Sequence, residues 1–151
     1  MTVSKRRSVP FSATLMVRDA CLCLHVQRAA RVLTRRFDEA FRLLGLTSGQ
    51  FSLLMSLNRP EPPNIGAVAT LLAMDRTTLT AAVKPLEKRG LIKVSIDPKD
   101  RRHRLLALTA SGQAALAKAL PIWIGEHAQI EASLASGEPD RLRRDLIALN
   151  A

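Results

Sequence analysis

The chain has 151 residues, of which 47% are hydrophobic, and carries a formal net charge of +10. This length suits one compact domain, and the hydrophobic content excludes a chain that is disordered throughout. Aromatic residues make up only 3%, so the core is predicted to consist of aliphatic side chains packed between helices. No apolar run reaches the roughly 20 residues that span a membrane, and two cysteines are too few for a disulfide scaffold. We therefore expect a cytoplasmic protein with no membrane partner.

The positive charge is concentrated in two segments. Residues 1–36 contain eight Lys and Arg against one acidic residue, and residues 76–104 contain nine against three. The other two segments, 37–75 and 105–151, are slightly acidic. Concentrated basic patches are typical of proteins that bind polyanions. A basic surface that serves only solubility is the alternative.

One long helix is predicted over residues 13–44. Its apolar residues recur at steps of mostly three and four, and Gly45 is placed to end it. A helix of this length, about 45 Å at 1.5 Å per residue, cannot bury its apolar stripe within so small a domain. We therefore expect the stripe to pack against a partner.

A short helix is predicted next, over residues 48–57. Thr47 and Gln50 are spaced as in a capping box, which fixes its start. Three prolines within residues 59–63 then exclude regular structure.

Two helices joined by a tight turn follow. Asn64 is placed as the N-cap of the first, and Asp75 as the N-cap of the second, which ends at Gly90. Short hydroxyl and basic side chains near the start of a helix suit the major groove of DNA. The candidate DNA-binding residues of this second helix are Asp75, Arg76, Thr77, Thr78, Thr80 and Lys84. The alternative is that the threonines are ordinary surface and capping residues.

The period of the pattern then changes to two, which predicts strands over residues 92–96 and 104–108. The hairpin between them has a charged tip, and arginine on such a projection can enter the minor groove. Asp100 is interpreted as a brace that orients an arginine. The candidate DNA-binding residues of this wing are Lys99, Asp100, Arg101, Arg102 and Arg104. A hairpin whose charge serves only solubility is the alternative.

Two helices complete the chain. Thr109 is placed to cap a long one, in which Trp123 is predicted to lie in the core. Pro139 suits the first turn of the last helix.

These segments, in this order and spacing, resemble the MarR family of bacterial winged-helix regulators over nearly the whole chain. The matching segments are Gly45-Leu46-Thr47, residues 71–80, residues 86–92, residues 97–102 and Leu108-Thr109. The sequence departs from the family at Ala81, where an arginine is frequent, and at Pro85 within the recognition helix.

The resemblance implies a mainly α fold with a β-hairpin wing in a single domain. Residues 47–109 would form the winged helix-turn-helix, and residues 13–44 and 110–150 the dimerisation helices. It also implies a homodimer that binds a palindromic double-stranded DNA operator and regulates transcription. The expected action is that of a repressor released by a small ligand or an oxidant.

The control that the resemblance implies is a small aromatic or phenolic effector, or oxidation of a cysteine in the first helix. The candidate redox or effector residues are Cys21, Cys23 and His25. On one continuous helix the two cysteines would be about 200° apart, so we expect them neither to bond to each other nor to share a metal. Small core side chains are the alternative role for both.

Other classes of function find little in the sequence. It has no nucleophile elbow, phosphate loop or acid–base carboxylate pair, and its three histidines have no partners at metal-ligand spacing. We therefore predict no enzyme activity, no cofactor and no metal. The alternative function is a non-specific architectural or RNA-binding protein, although the strands lack the aromatic residues that stack on bases.

Overall fold

The computed structural model describes residues 8–150, and these divide into two compact units between Arg36 and Phe37. The helices and strands, in chain order, are α1 (Phe11–Ala20), α2 (Leu22–Ala40), α3 (Ser48–Ser56), α4 (Ile65–Leu71), α5 (Arg76–Lys88), β1 (Ile92–Ile96), β2 (Arg104–Leu108), α6 (Ala110–Ala132) and α7 (Pro139–Ala148). The predicted fold class, mainly α with a β-hairpin wing, is confirmed. None of the described helices combines the length and apolar character that a membrane span requires.

The prediction of one continuous helix over residues 13–44 is wrong, because the chain breaks at Cys21. The backbone there is extended, with a ψ of 104°. The Cys21 N–H donates to the Val17 carbonyl oxygen at 3.0 Å, and its Sγ accepts from the Leu24 N–H at 3.4 Å. Cys21 thus ends α1 and caps α2. After α2 a short 3₁₀ turn leads to Gly45, whose φ of 64° gives the predicted glycine stop.

The predicted helix starts after residue 45 are confirmed. Four side chains each accept a hydrogen bond from the backbone N–H three residues later, which satisfies one of the unpaired donors of a first helical turn. These caps are Thr47 for α3, Asn64 for α4, Asp75 for α5 and Thr109 for α6. Pro139 opens α7 as predicted. α5 runs without interruption through Pro85.

The core of the second unit consists mainly of aliphatic side chains contributed by α3, α5, the hairpin and α6. Its largest fully buried members are Phe41, Leu54, Leu79, Leu86, Ile92, Leu106 and Val68. A row of stacked rings runs through it from Phe37 to His127, with centroid separations of 5.8, 4.8, 6.4 and 4.5 Å. Trp123 belongs to this row and is half-buried against the core, where the sequence placed it.

The hairpin is held to the helices at its base. β1 and β2 pair antiparallel, with Ile92 opposite Leu108. The Leu106 N–H donates to the Pro63 carbonyl oxygen at 2.9 Å, and Asn64 forms a bridge with Leu105. The segment that leads into α4 is therefore fastened to β2, and the wing has a fixed position relative to α4.

Candidate nucleic-acid interface

The outward face of α5 is a shallow hollow of about 340 Å³. It exists because Leu79, Val83 and Leu86 are buried on the opposite side of the helix. The residues that line the hollow are Arg76, Thr77, Thr80, Ala81 and Lys84. Four predicted site residues therefore share one exposed face, and Ala81 adds only a methyl group to it.

Asp75 and Thr78 do not line this hollow, because they bond to each other at the start of α5. The Thr78 N–H and hydroxyl donate to the two Asp75 carboxylate oxygens at 2.7 and 2.6 Å. These bonds, first that from the Thr78 hydroxyl, lower the pKa of Asp75 from its ordinary value. The pair secures the first turn of the helix.

The three threonines of α5 differ in what their hydroxyls do. The Thr80 hydroxyl donates to the Arg76 carbonyl oxygen at 2.7 Å, and the Thr78 hydroxyl donates to Asp75. The Thr77 hydroxyl has no partner within residues 8–150. Thr77 is therefore the threonine of this helix whose donor is available to another molecule.

The tip of the wing is a hydrogen-bonded turn that projects cations into solvent. Asp97 and His103 are joined by a 3.1 Å backbone bond, and the Lys99 N–H donates to the Asp97 carboxylate at 2.8 Å. The four predicted cations of the wing, Lys99, Arg101, Arg102 and Arg104, are all exposed.

Asp100 fills the bracing role that the sequence predicted for it. The Arg102 guanidinium donates to the Asp100 carboxylate from Nε at 3.0 Å and from an Nη at 2.9 Å. The Arg102 N–H adds a bond of 3.0 Å. The side-chain bond lowers the pKa of Asp100 and raises that of Arg102 from their ordinary values.

A second hollow, of about 210 Å³, lies between the start of α4, α5 and the wing. We call it the arginine cleft; its lining residues are Asn64, Ile65, Gly66, Arg76, Thr80, Arg102, His103 and Arg104. Arg76 and Thr80 line both hollows, so the face of α5 and the wing form one continuous surface. The sequence analysis missed Gly66 and His103 as parts of this surface, and recognised Asn64 only as a cap. Their proximity depends on the contact between residues 63–64 and β2, which no local pattern reveals.

The three candidate redox residues lie at and just after the break between α1 and α2. Cys21 and Cys23 are both free thiols. His25 Nδ1 lies 2.8 Å from the Cys21 carbonyl oxygen, and the Cys23 Sγ accepts from the Gln27 amide at 3.2 Å. The angular separation inferred for the two cysteines does not hold, because Cys21 lies outside the helix that contains Cys23. Across the part of the chain that the structure describes, no three His, Cys, Asp or Glu side chains gather as metal ligands.

An apolar groove of about 510 Å³ lies on the second unit, away from the basic surface. Its lining residues are Phe51, Ser52, Met55, Ser56, Leu71, Leu72, Leu120 and Trp123. The walls are aromatic and aliphatic, with two serines as the polar groups. Such a lining suits a flat, largely apolar molecule.

Comparison with known proteins matches this architecture to regulators. A family model described as the MarR family matches residues 46–103, from just before α3 to the wing. The M. tuberculosis transcriptional regulator MosR, solved in complex with DNA, is 38% identical over 86% of this chain and 93% of its own, with a TM-score of 0.79. The chain belongs to the MarR family.

Two further proteins extend this comparison of the MarR-family chain. The transcriptional repressor CouR, bound to a 23-mer DNA duplex, is 29% identical over 89% of this chain and 96% of its own, with a TM-score of 0.79. The transcriptional activatory protein BadR of Rhodopseudomonas palustris is 33% identical over 95 residues, or 61% of this chain and 54% of BadR. The chain spans about half the length of the curated relatives that it matches first. All the proteins named here are regulators and not enzymes.

Proposed function

We propose that this protein is a cytoplasmic, sequence-specific transcriptional regulator that binds a palindromic duplex operator as a homodimer. One observation carries the proposal: the outward face of α5 and the wing form a continuous basic surface, joined at Arg76 and Thr80. A helix of this kind fits the major groove, and the wing arginines reach the adjacent minor groove. MosR and CouR, which share this fold, have been solved with DNA.

The dimer is proposed from apolar surface on the terminal helices. α1, α2 and α7 contain no buried residue, although all three are amphipathic. On α7, Leu142, Leu146 and Leu149 are 43%, 40% and 60% exposed. A second copy of the chain would cover these side chains and hold two α5 helices about one turn of DNA apart. Residues 13–44 and 110–150 are thus proposed as the dimerisation segments, with residues 47–109 as the DNA-binding segment.

Selection from a random duplex pool tests the specific reading. We expect a palindromic consensus, and an affinity for it that exceeds the affinity for random duplex by at least about 10³. Thr77→Ala should relax the consensus, whereas Arg102→Ala should weaken binding to consensus and random duplex alike. Equal affinity for every duplex would instead identify a non-specific architectural protein. A protein that retains no duplex at low salt would overturn the proposal altogether.

The regulator is further proposed to be a repressor that a small aromatic or phenolic molecule releases from DNA. The apolar groove beside Trp123 offers a wall of rings for such a ligand. CouR has been solved with p-coumaroyl-CoA. Since Trp123 is the single tryptophan, its fluorescence reports occupancy directly. We expect p-coumaroyl-CoA or 4-hydroxybenzoate to quench it and to lower DNA affinity; if neither aromatic acids nor their thioesters change the emission, the groove is not the effector site.

Oxidation of Cys21 is a second proposed route of release. A peroxide would accept the thiolate as nucleophile, its O–O bond would break to release water or an alcohol, and the sulfur would become a sulfenic acid. This would alter the group that caps α2 at the junction with α1. Cys21→Ser keeps an oxygen cap and removes the oxidisable sulfur, so the variant should stay on DNA in peroxide. If the Cys21→Ser/Cys23→Ser double variant is released as readily as the parent, the redox proposal is wrong.

A further inference from the structure

The arginine cleft gathers cationic side chains from two different elements at one point. Arg76 comes from the first turn of α5, and Arg102 and Arg104 come from the wing. We propose that this cleft binds one phosphate of the DNA backbone, and that Gly66 is a positioning residue that leaves room for the Arg76 guanidinium. The inference rests on the proposed DNA-binding function and adds to it a defined contact and a residue outside both the recognition helix and the wing.

The charges that line the cleft are of one sign. Its titratable lining side chains are three arginines and His103, and no carboxylate lines it. The nearby Asp100 is engaged with Arg102 and holds that guanidinium in place. Guanidinium groups donate in a planar fork that matches two phosphate oxygens. With water occupying about 30 Å³ per molecule, a cleft of about 210 Å³ accommodates a phosphate and several waters.

The neutral groups of the cleft form its walls. The Thr80 hydroxyl donates to the Arg76 carbonyl oxygen, and the Asn64 amide oxygen accepts from the Ala67 N–H at 2.8 Å. Both groups are therefore already used, which leaves the arginines as the principal donors. The 2.9 Å bond between the Leu106 N–H and the Pro63 carbonyl oxygen fixes the start of α4 against β2. The walls are rigid because backbone hydrogen bonds hold them.

Gly66 lies directly under the Arg76 side chain. A Cβ atom built at Gly66 would lie 2.9 Å from an Arg76 Nη and 3.5 Å from its Cζ. It would also lie 3.3 Å from the Asn64 amide oxygen. The closest of these atoms belongs to the far end of a flexible side chain, so an alanine would displace the guanidinium and leave α4 intact. The missing side chain at position 66 thus serves Arg76 more than it serves the helix.

A double-mutant cycle on Gly66 and Arg76 tests this arrangement. The probe is a fluorescein-labelled random-sequence duplex of about 30 base pairs, long enough for two half-sites. We expect Gly66→Ala to weaken binding about fivefold, as for the loss of one charged phosphate contact, and to leave the melting temperature unchanged or higher. In the Arg76→Ala background the same substitution should have no effect. Gly125→Ala is the matched control, because a Cβ there meets nothing within 4 Å.

The phosphate is identified by salt and by chemistry. Arg76→Ala and Arg104→Ala should each make the slope of log affinity against log salt shallower by about 0.9 for each cleft lost. Arg141→Ala on α7 removes the same charge and should leave the slope unchanged. A scan of single methylphosphonate linkages through one selected duplex should find a position where neutralisation weakens the parent but not Arg76→Ala.

Several outcomes overturn the inference while the proposed function survives. If Gly66→Ala binds as tightly as the parent, or weakens binding equally in the Arg76→Ala background, Gly66 does not position Arg76. An unchanged salt slope in both arginine variants, or a methylphosphonate scan without a differential position, removes the phosphate contact. If the parent protein itself binds no duplex, the failure belongs to the proposed function.

Discussion

The Asp100 carboxylate holds the Arg102 guanidinium with two side-chain hydrogen bonds, of 3.0 and 2.9 Å, at the tip of the wing. The Arg102 side chain is nevertheless 87% exposed, so it is oriented without being buried. An acidic residue in a DNA-binding tip repels phosphate by its charge and helps by ordering its neighbour. These two effects predict opposite results when the charge is removed.

Asp100→Asn should weaken binding to duplex DNA about two- to tenfold, because Arg102 must then be ordered on binding. Charge alone would predict the reverse. Glu87→Gln on α5 removes the same charge without touching the brace and should bind as tightly as the parent or tighter. The measurement is fluorescence anisotropy at constant salt; tighter binding by Asp100→Asn would show that repulsion dominates.

The cap of α5 should depend on pH in a defined direction. Because bonds from Thr78 lower the pKa of Asp75 in the folded protein, the cap is fully present above the ordinary carboxyl pKa of about 3.9. It is lost as the pH falls through the lowered value. Asp75→Ala should therefore lower the urea midpoint by a constant amount from neutral pH to pH about 5, and by less in stronger acid. Asp75→Asn keeps a neutral cap and should not show this acid dependence; a difference that grows in acid would contradict the assignment.

Gly112 should tolerate no side chain. A Cβ there would lie 2.1 Å from the Leu91 carbonyl oxygen, which is backbone and cannot swing aside. Gly112→Ala should lower the free energy of unfolding by about 1–3 kcal/mol or more, because α6 would separate from the hairpin. Gly125→Ala, also in α6 but facing open space, should raise the free energy of unfolding by about 0.5–1 kcal/mol. Urea unfolding of both variants decides the matter, and equal stabilities would disprove the close contact.

The apolar face of α7 should govern the oligomeric state. Leu146→Asp places a charge among leucines that a second copy is proposed to cover, so we expect a monomer in sedimentation equilibrium at micromolar concentration. The salt slope of DNA binding should then fall to about half, since one subunit contributes half the phosphate contacts. Ile96→Asp on β1, at a side chain that is 48% exposed, is the control and should leave the dimer intact. A parent protein that is monomeric under these conditions would refute the paired arrangement.

The sequence predicted those parts of the fold that depend on local chemistry. Thr47, Asn64, Asp75 and Thr109 were recognisable as caps because each acts on a backbone N–H three residues away. The brace between Asp100 and Arg102 also lies within a single turn. Such interactions require no knowledge of the tertiary structure.

The features that the sequence did not reveal depend on contacts between distant segments or on an inconspicuous residue. The helix break falls at Cys21, a residue type that does not mark helix ends, without the glycine or proline that usually does. Arg89 donates to the Gly45 carbonyl oxygen at 2.7 Å across 44 positions. The place of Gly66 beneath Arg76 follows from how α4 and α5 pack.

The hydrogen bond from the Leu106 N–H to the Pro63 carbonyl oxygen also has a consequence for solubility. An isolated hairpin exposes unpaired backbone groups along both margins, and each margin can recruit a strand from another molecule. Here residues 63–64 occupy part of the β2 margin, and Lys93 on β1 adds a charge that discourages stacking into fibrils. The wing can therefore project its cations into solvent without offering a long template for aggregation.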